Sequence, residues 1–226
     1  MPTTLITGAN RGIGLELARF YAARGDDVIA TARKPEDAHA ARELGVRVEP
    51  LDIADASSID RLASALEGVE IDRLVNNAGV FPDRGAGMND IDAEATMHCF
   101  RVNTLGPVLL TRALRPRLAK GALIVNISST MGSIARARDN ASSRNLAYHA
   151  SKAALNMMTS LIASDLADDG VRVVAMHPGW VRTDMGGGEA DLDTRQSVTT
   201  MARAWDKLTP KDAGAFLDTD GAPLPW

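Results

Sequence analysis

The chain has 226 residues, of which 45% are hydrophobic and 24% are charged, and its formal net charge is −4. This size and composition predict one globular domain with a substantial core, and the acidic balance excludes a general attraction to nucleic acid or to anionic membranes. The single cysteine excludes an internal disulfide framework, the four scattered histidines lack metal-ligand spacing, and no apolar run is long enough to cross a bilayer.

Short apolar runs alternate with segments of helical periodicity along the chain. The runs predicted as strands are Thr3–Thr7, Asp27–Thr31, Val46–Leu51, Arg73–Asn76, Ala122–Ser128, Val171–His177 and Ala215–Asp218. The segments predicted as helices are Ile13–Arg24, Pro35–Leu44, Ala56–Leu66, Asp92–Leu118 and Ala147–Asp168. Near-continuous apolar strands separated by helices predict an α/β, doubly wound, mostly parallel sheet of about seven strands, which is a Rossmann fold. Because no linker or repeat interrupts this pattern, we expect a single domain over residues 1–226.

Two stretches are predicted to be irregular. Ser133–Asn145 is polar and rich in Arg, Asn and Ser, and Met185–Asp193 contains the triplet Gly186–Gly188. Both follow predicted strands, so we expect them at the carboxyl edge of the sheet, where folds of this kind bind ligands. The glycine triplet suggests the hinge of a lid.

A glycine-rich loop, Thr7–Gly14, joins the first predicted strand to the first helix. Gly8 permits a sharp turn, Gly12 removes a Cβ where a pyrophosphate must approach, and Gly14 lets the helix pack closely on the sheet. The helix then presents unpaired N–H groups to the phosphates. A simple glycine-rich turn is the alternative, but the strand–turn–helix context favours dinucleotide binding.

Tyr148 and Lys152 lie four residues apart in Tyr-His-Ala-Ser-Lys. On a helix this spacing places both side chains on one face. A lysine ammonium stabilises a phenolate, so we expect the tyrosine pKa to move from its usual value of about 10 toward neutrality. Such a tyrosine exchanges a proton with a carbonyl or alcohol oxygen. The alternative is that the pair lies on an ordinary solvated helix face.

The order of these motifs resembles the short-chain dehydrogenase/reductase family over nearly the whole chain. The glycine spacing is Thr-Gly-x-x-x-Gly-x-Gly, and the further matching positions in chain order are Asp52, Asn76–Gly79, Asn103, Ser129, Tyr148, Lys152 and Pro178–Thr183. The long Ser133–Asn145 segment, the Thr31–Arg33 strand end and the terminal Pro223–Trp226 resemble a carbonyl-reductase-like branch that includes C-factor-type bacterial signalling proteins.

The resemblance implies a catalytic tetrad of Asn103, Ser129, Tyr148 and Lys152. Tyr148 would be the general acid or base, Ser129 would hold the substrate oxygen, and Lys152 would lower the pKa of the tyrosine and hold the nicotinamide ribose. Asn103 would hold a water that links Lys152 to solvent, although a structural kink or a backbone bond would also explain an asparagine inside a helix. Ser128 remains an alternative to Ser129.

The resemblance also implies the cofactor-binding residues, mainly in residues 1–120, with the catalytic and substrate-loop residues in 121–226. They are Gly8, Asn10, Arg11, Gly12, Ile13, Gly14, Arg33, Asp52, Ile53, Asn77, Ala78, Gly79, Tyr148, Lys152, Pro178, Gly179, Val181 and Thr183.

The charges that follow the second predicted strand favour NADP(H) as the cofactor. An NAD site places an acid there, but this chain has no acid between Val28 and Glu36. Arg33 and Arg11 are suited to gripping a 2′-phosphate from two sides. The alternative is that both are ordinary solvated arginines.

We therefore predict an NADP(H)-dependent oxidoreductase that interconverts an aldehyde or ketone and its alcohol. The alternatives are a dinucleotide-binding signalling protein of the C-factor type with incidental catalysis and, less favoured, an epimerase or dehydratase acting on nucleotide sugars. We expect no metal, no nucleic acid and no membrane as partners. The lone Cys99 and the lack of a leader-like amino terminus predict a cytoplasmic protein.

Other side chains carry secondary predictions. The helix that begins at Ala147 has more apolar residues than one core face requires, which predicts a homodimer or homotetramer; they are Leu155, Met157, Met158, Leu161 and Ile162. Residues that could line the substrate pocket, or simply pack in the core, are Phe81, Met131, Trp180 and Met185. Arginines that could attract an acidic substrate, or simply be solvated, are Arg136, Arg138 and Arg144. His149 and His177 are interpreted as structural.

Overall fold

A computed structural model of the chain describes residues 1–137 and 144–226. In these residues a seven-stranded sheet has the order β3-β2-β1-β4-β5-β6-β7, and every neighbouring pair is parallel. The strands are β1 Thr3–Ile6, β2 Asp27–Ala32, β3 Arg47–Pro50, β4 Ile71–Asn76, β5 Leu118–Ile127, β6 Arg172–Met176 and β7 Phe216–Leu217. The predicted doubly wound α/β fold is confirmed.

Helices cover both faces of the sheet. They are α1 Gly12–Ala23, α2 His39–Glu43, α3 Ala56–Ala65, α4 Ala93–Phe100, α5 Gly106–Leu114, α6 Ile134–Ala137, α7 Leu146–Asp165 and α8 Thr194–Trp205. None of the described helices combines the length and apolar character needed to cross a membrane.

The core consists of two apolar layers, one on each side of the sheet. Because successive strand residues point to opposite faces, Leu5 and Ile6 enter different layers. Ile6 packs with α1 and α8, whereas Leu5 packs with α3, α5 and α7. The strand order reverses between β1 and β4, so the crevice at their carboxyl ends is the expected ligand site of such a sheet.

Two helix predictions were wrong in their extent. Pro35–Leu44 divides into a 3₁₀ turn, Pro35–Asp37, and the short α2, because Ala38 packs into the core and leaves the helical region. Asp92–Leu118 divides into α4 and α5 around a π-helical segment, Arg101–Leu105, and then passes through a 3₁₀ turn into β5. In the π segment the N–H of Gly106 reaches the carbonyl of Arg101, five residues back.

Helix α8 was absent from the sequence prediction. Its amino terminus carries a capping box, in which Asp193 accepts a hydrogen bond from the N–H of Gln196 (2.7 Å) and the Gln196 side chain accepts one from the N–H of Asp193 (2.9 Å). The Asp-x-x-Gln spacing before a periodic apolar run was a readable signal for this helix.

Candidate active site

The glycine loop lies between β1 and α1 and has the geometry that its motif predicts. Gly8 and Gly12 have positive φ values of 65° and 57°. A Cβ on Gly14 would lie 2.4 Å from the carbonyl oxygen of Gly8, so this position has no room for a side chain. No side chain caps the amino terminus of α1, so its N–H groups remain open to a phosphate.

Asn77 braces this loop from the end of β4. Its Nδ2 donates to the carbonyl oxygens of Thr7 (2.8 Å) and Gly8 (3.2 Å). In return, Thr7 Oγ1 accepts hydrogen bonds from the N–H groups of Asn77 and Ala78, both at 2.9 Å. The predicted cofactor residues after β1 and after β4 therefore form one rigid unit.

The remaining predicted cofactor residues lie on neighbouring loops of the same edge. Asp52 and Ile53 follow β3, and the carbonyl of Ile53 lies against Gly106. Pro178 and Gly179 follow β6, and Thr183 lies 3.5 Å from the position of a Cβ on Gly12. The loop after β6 thus closes against the glycine loop.

The two arginines predicted to grip a 2′-phosphate differ in their contacts. Arg33 is exposed directly after β2. Arg11 pairs with Asp184 of the loop after β6 at 2.6 Å, and both side chains are more than two-thirds exposed, at 70% and 76%. Because exposed pairs of this kind stabilise by only about 0–1 kcal/mol, Arg11 can exchange its partner for a phosphate at little cost.

The first residue of the glycine triplet, Gly186, lies in a tightly packed and hydrogen-bonded turn. A Cβ on Gly186 would lie 1.9 Å from the carbonyl oxygen of Val181. The carbonyl of Gly186 accepts a hydrogen bond from Trp180 Nε1 (2.8 Å), and its N–H donates to Thr183 Oγ1 (3.0 Å). Gly186 is therefore a packing position, and a hinge at Gly187 or Gly188 stays a prediction.

Tyr148 and Lys152 lie in the first two turns of α7, and both are buried. Lys152 Nζ donates to the carbonyl of Ile127 at the end of β5 (2.7 Å) and lies 5.7 Å from the centre of the Tyr148 ring. Ser129 lies close enough to the Tyr148 phenol to lower its pKa, whereas Ser128 Oγ donates to Asn156 Oδ1 (2.6 Å) on the other side of the strand end. Of the two serines, Ser129 is the one beside the phenol.

Burial dominates the protonation of this pair. It raises the pKa of Tyr148 to about 12, against the opposing effect of the hydrogen bond with Ser129, and it lowers the pKa of Lys152 to about 8. The predicted shift of the Tyr148 pKa toward neutrality is therefore wrong for the chain by itself. Desolvation of the phenol is the largest effect on this pKa, and the Lys152 ammonium is itself desolvated and bonded to the carbonyl of Ile127.

The side chain of Asn103 is fully occupied by protein partners. Its Oδ1 accepts from the N–H of Val80 and its Nδ2 donates to the carbonyl of Val80, both at 2.9 Å. Nδ2 also lies 3.1 Å from Ser151 Oγ. Asn103 sits in the π-helical segment, and Pro107 has no N–H to donate to its main-chain carbonyl. The backbone bonds considered for Asn103 are therefore present, and the α-helix is interrupted there by the π-helical segment.

An aromatic and apolar wall surrounds the phenol. Phe81 stacks on Tyr148 with ring centres 4.3 Å apart, and Met131 packs against the same cluster. Trp180 is half exposed, and Met185 is partly exposed, in the loop after β6. The Arg84 guanidinium lies 5.1 Å from the centre of the Phe81 ring and donates to the carbonyl of Met185, so it bridges the two loops beside the site.

The segment before Tyr148 is only partly described. It contains α6, whose Arg136 is partly exposed, and Arg144, whose guanidinium donates to the carbonyl of Gly85 (3.0 Å). Arg138 lies outside the described residues. Within the described ranges, no group of three or more His, Cys, Asp or Glu side chains has a metal-binding arrangement.

His177 supports the turn that follows Ser129. Its Nδ1 accepts a hydrogen bond from the N–H of Thr130 (3.4 Å), and burial lowers its pKa to about 4. Burial also lowers the pKa of His149. The hydrogen bond from Thr130 gives His177 a structural contact, and the structural role of His149 stays a prediction.

Asp83 is a site residue that sequence reasoning missed. Its Oδ2 accepts hydrogen bonds from the N–H groups of Ala147 (2.7 Å) and Tyr148 (3.4 Å), although it lies 64 residues before Ala147. Ser151 was also missed; it donates to the carbonyl of Tyr148 (2.8 Å) and lies next to Asn103. No local motif marks Asp83, because its partners are distant in the chain.

Comparison with known sequences adds three findings. The family model for short chain dehydrogenase matches residues 2–192. The C-signal protein of Myxococcus xanthus is 41% identical over 158 residues, covering 69% of this chain and 93% of that protein. The 1-hydroxy-2-glutathionyl-2-methyl-3-butene dehydrogenase of Rhodococcus sp. strain AD45 is 34% identical over 233 residues, covering 100% of both chains.

Among solved structures, the NADPH-bound carbonyl reductase from chicken fatty liver superposes with a TM-score of 0.92 at 34% sequence identity. The match covers 100% of this chain and 99% of that one.

Proposed function

Because the chain belongs to the short-chain dehydrogenase family, we propose that it is an NADP(H)-dependent oxidoreductase that interconverts an aldehyde or ketone and the corresponding alcohol. The observation that carries this proposal is the meeting of Ser129, Tyr148 and Lys152 at the sheet edge that also holds the open glycine loop. The likeness to an NADPH-bound carbonyl reductase supports the same assignment.

The residues present fit a dinucleotide. The Gly8–Gly14 loop and the uncapped start of α1 would hold the pyrophosphate, with Asn10, Ile13 and the loops at 52–53, 77–79 and 178–183 completing the cradle. Arg33 and Arg11 would hold the 2′-phosphate, with no competing acid at the end of β2. When bound, the cofactor supplies or accepts the hydride.

In the reductive direction Tyr148 donates a proton to the carbonyl oxygen, while Ser129 donates a hydrogen bond that keeps this oxygen near the phenol. The raised pKa of Tyr148 keeps it protonated for this role at neutral pH. Lys152 would hold the nicotinamide ribose, and its ammonium lies 5.7 Å from the centre of the Tyr148 ring. Since the Asn103 amide is occupied by Val80, we assign the proton-relay water to the main-chain carbonyl of Asn103.

We also propose that residues 1–120 of a single domain supply most of the cofactor contacts and that residues 121–226 supply the catalytic and substrate-loop contacts.

Exposed apolar side chains on α7, chiefly Met157 and Leu161, support a homodimer or homotetramer, which sedimentation at micromolar concentration would test. A cytoplasmic location remains our expectation from the lone cysteine Cys99, which is buried as a free thiol.

A second candidate function is that of a dinucleotide-binding signalling protein with incidental catalysis. The observation that favours it is the 41% identity to the C-signal protein. The arrangement of Ser129, Tyr148 and Lys152 argues against it, because a sensor needs no acid–base group.

One experiment separates the two functions. NADPH consumption is measured against aldehydes, quinones, diketones and keto-acyl esters, with Tyr148→Phe as the blank. We expect Tyr148→Phe to lower turnover roughly 10³-fold or more while NADPH still binds, because only the proton donor is lost. Turnover retained by Tyr148→Phe would refute the mechanism, and tight NADPH binding without turnover of any compound would favour the signalling function.

A further inference from the structure

The catalytic helix α7 has no cap from its own sequence. The residue before its first turn, Asn145, has left-handed backbone angles (φ 65°, ψ 41°), and its side chain makes no capping bond. The Asn145 side chain instead accepts a hydrogen bond from the N–H of Gly85. The first N–H groups of any helix lack intrahelical partners, so the start of α7 needs an acceptor from elsewhere.

Asp83 supplies that acceptor from a different element. Its Oδ2 accepts from the N–H groups of Ala147 (2.7 Å) and of Tyr148 itself (3.4 Å). Its carboxylate also lies at the positive end of a 20-residue helix, where negative charge is stabilised. The other oxygen, Oδ1, is buried without a partner among the described residues, so this carboxylate is held at a desolvation cost.

The loop that carries Asp83 is fixed against the same turn by further contacts. The N–H of Asn145 donates to the carbonyl of Ala86 (2.7 Å), and Arg144 donates to the carbonyl of Gly85 (3.0 Å). Phe81, two residues before Asp83, stacks on the Tyr148 ring. This loop continues directly from Asn77–Gly79, which brace the glycine loop. One segment therefore contacts both the glycine loop and the catalytic helix.

We propose that Asp83 is a positioning residue for Tyr148. Its carboxylate fixes the first turn of α7 and thereby fixes the position of the Tyr148 phenol relative to the glycine loop. A general acid must lie within hydrogen-bond reach of the oxygen that it protonates, and small displacements lower the rate sharply. This role rests on the proposed oxidoreductase function, because only a reacting Tyr148 needs such placement.

The cap itself is tested without any substrate, by amide hydrogen exchange. In Asp83→Ala we expect the N–H groups of Ala147 and Tyr148 to exchange faster, while Asp83→Asn restores protection because asparagine caps as well as aspartate does. The matched control is Asp55→Ala, which removes a local cap from α3, where Asp55 accepts from the N–H of Ser57 (2.9 Å). It should leave exchange in α7 unchanged. Unchanged exchange at Ala147 and Tyr148 in Asp83→Ala overturns the proposal.

The positioning role is tested by kinetics on the compound that the wild type turns over fastest. We expect Asp83→Ala to lower kcat roughly 10- to 100-fold with the KM for NADPH changed by less than about 2-fold, and Asp83→Asn to recover most of kcat. Asp55→Ala should lose stability but not kcat. A kcat for Asp83→Ala equal to that of the wild type overturns the proposal, as does an equal loss in Asp55→Ala.

Two further outcomes are decisive. If Asp83→Ala does not fold, Asp83→Glu takes its place, since it keeps the charge but moves the carboxylate by one methylene; an unchanged kcat in Asp83→Glu overturns the positioning role. If the wild type turns over no compound, the oxidoreductase proposal fails, and with it the reason for placing Tyr148. The exchange measurement then still decides whether Asp83 caps α7.

Discussion

The glycine loop and the start of α7 lie at the same edge of the sheet but are held in different ways. The loop takes its shape largely from its own glycines, since Gly8 and Gly12 have positive φ and Gly14 has no room for a side chain, and Asn77 then braces it from the end of β4. The start of α7 takes its place from distant partners, namely Asp83 and the carbonyl of Ile127. A region that is fixed by its own residues must carry a sequence motif. In a region that is fixed by distant contacts, the sequence reveals only the residues that take part in the chemistry, here Tyr148 and Lys152.

The largest expected effect, on both stability and NADPH binding, follows from adding a single methyl group to the glycine loop at Gly14. In Gly14→Ala the new Cβ would lie 2.4 Å from the carbonyl of Gly8 and 2.5 Å from Asn77 Nδ2, neither of which can move without disturbing the loop. We expect the free energy of unfolding to fall by about 3 kcal/mol or more and NADPH binding to be lost. Chemical denaturation and NADPH fluorescence titration measure the two effects.

The control is Gly87→Ala, because Gly87 has an ordinary negative φ of −98° and a Cβ there would lie 3.7 Å from Asp90 Oδ2, an ordinary van der Waals distance. It should leave both stability and NADPH affinity close to those of the wild type. If Gly14→Ala bound NADPH as the wild type does, the loop would not be fixed in the way described, and the contrast with α7 would disappear.

The turn after Ser129 is also held by a distant contact, the hydrogen bond from Thr130 to His177, and should show a pH dependence through that histidine. Burial lowers its pKa from the usual 6.5 to about 4, so between these values the unfolded chain binds a proton that the folded chain does not. The contribution of His177 to stability therefore falls by about 3 kcal/mol as the pH drops from 6.5 to 4, and it is constant above pH 6.5.

The measurement is the free energy of unfolding by urea at several pH values. His177→Asn offers Oδ1 as an acceptor for the N–H of Thr130 but does not titrate, so its stability should fall less on acidification than that of the wild type. His39→Asn, at an exposed position, is the matched control and should follow the wild type. Parallel curves for the wild type and His177→Asn would show that the turn after Ser129 does not depend on a neutral His177.

The same contrast explains what the sequence could and could not predict. The sheet, the glycine loop and the Tyr148/Lys152 pair were readable because strand patterns and spacing along one helix depend on nearby residues. The split of Asp92–Leu118 at Asn103, the cap from Asp83 and the raised pKa of Tyr148 depend on contacts between distant segments or on burial. The α8 helix is different, since its capping box is a local signal in the sequence.

The smallest of these effects concerns the choice between NADPH and NADH, which depends on the exposed charge of Arg33 at the end of β2. Arg33 follows β2 where an NAD-specific site would place an acid, so Arg33→Asp both removes a phosphate partner and introduces a repulsive charge. We expect the ratio of kcat/KM for NADPH to that for NADH to fall about 10- to 100-fold. Arg42→Asp makes the same charge change at an exposed position of α2 and should shift the ratio little, since long-range charge effects at the surface are screened. Equal shifts in the two variants would mean that net charge alone, and not the position of Arg33, decides between NADPH and NADH. An unchanged ratio in Arg33→Asp would mean that Arg11, which can exchange Asp184 for a phosphate, decides between the two cofactors.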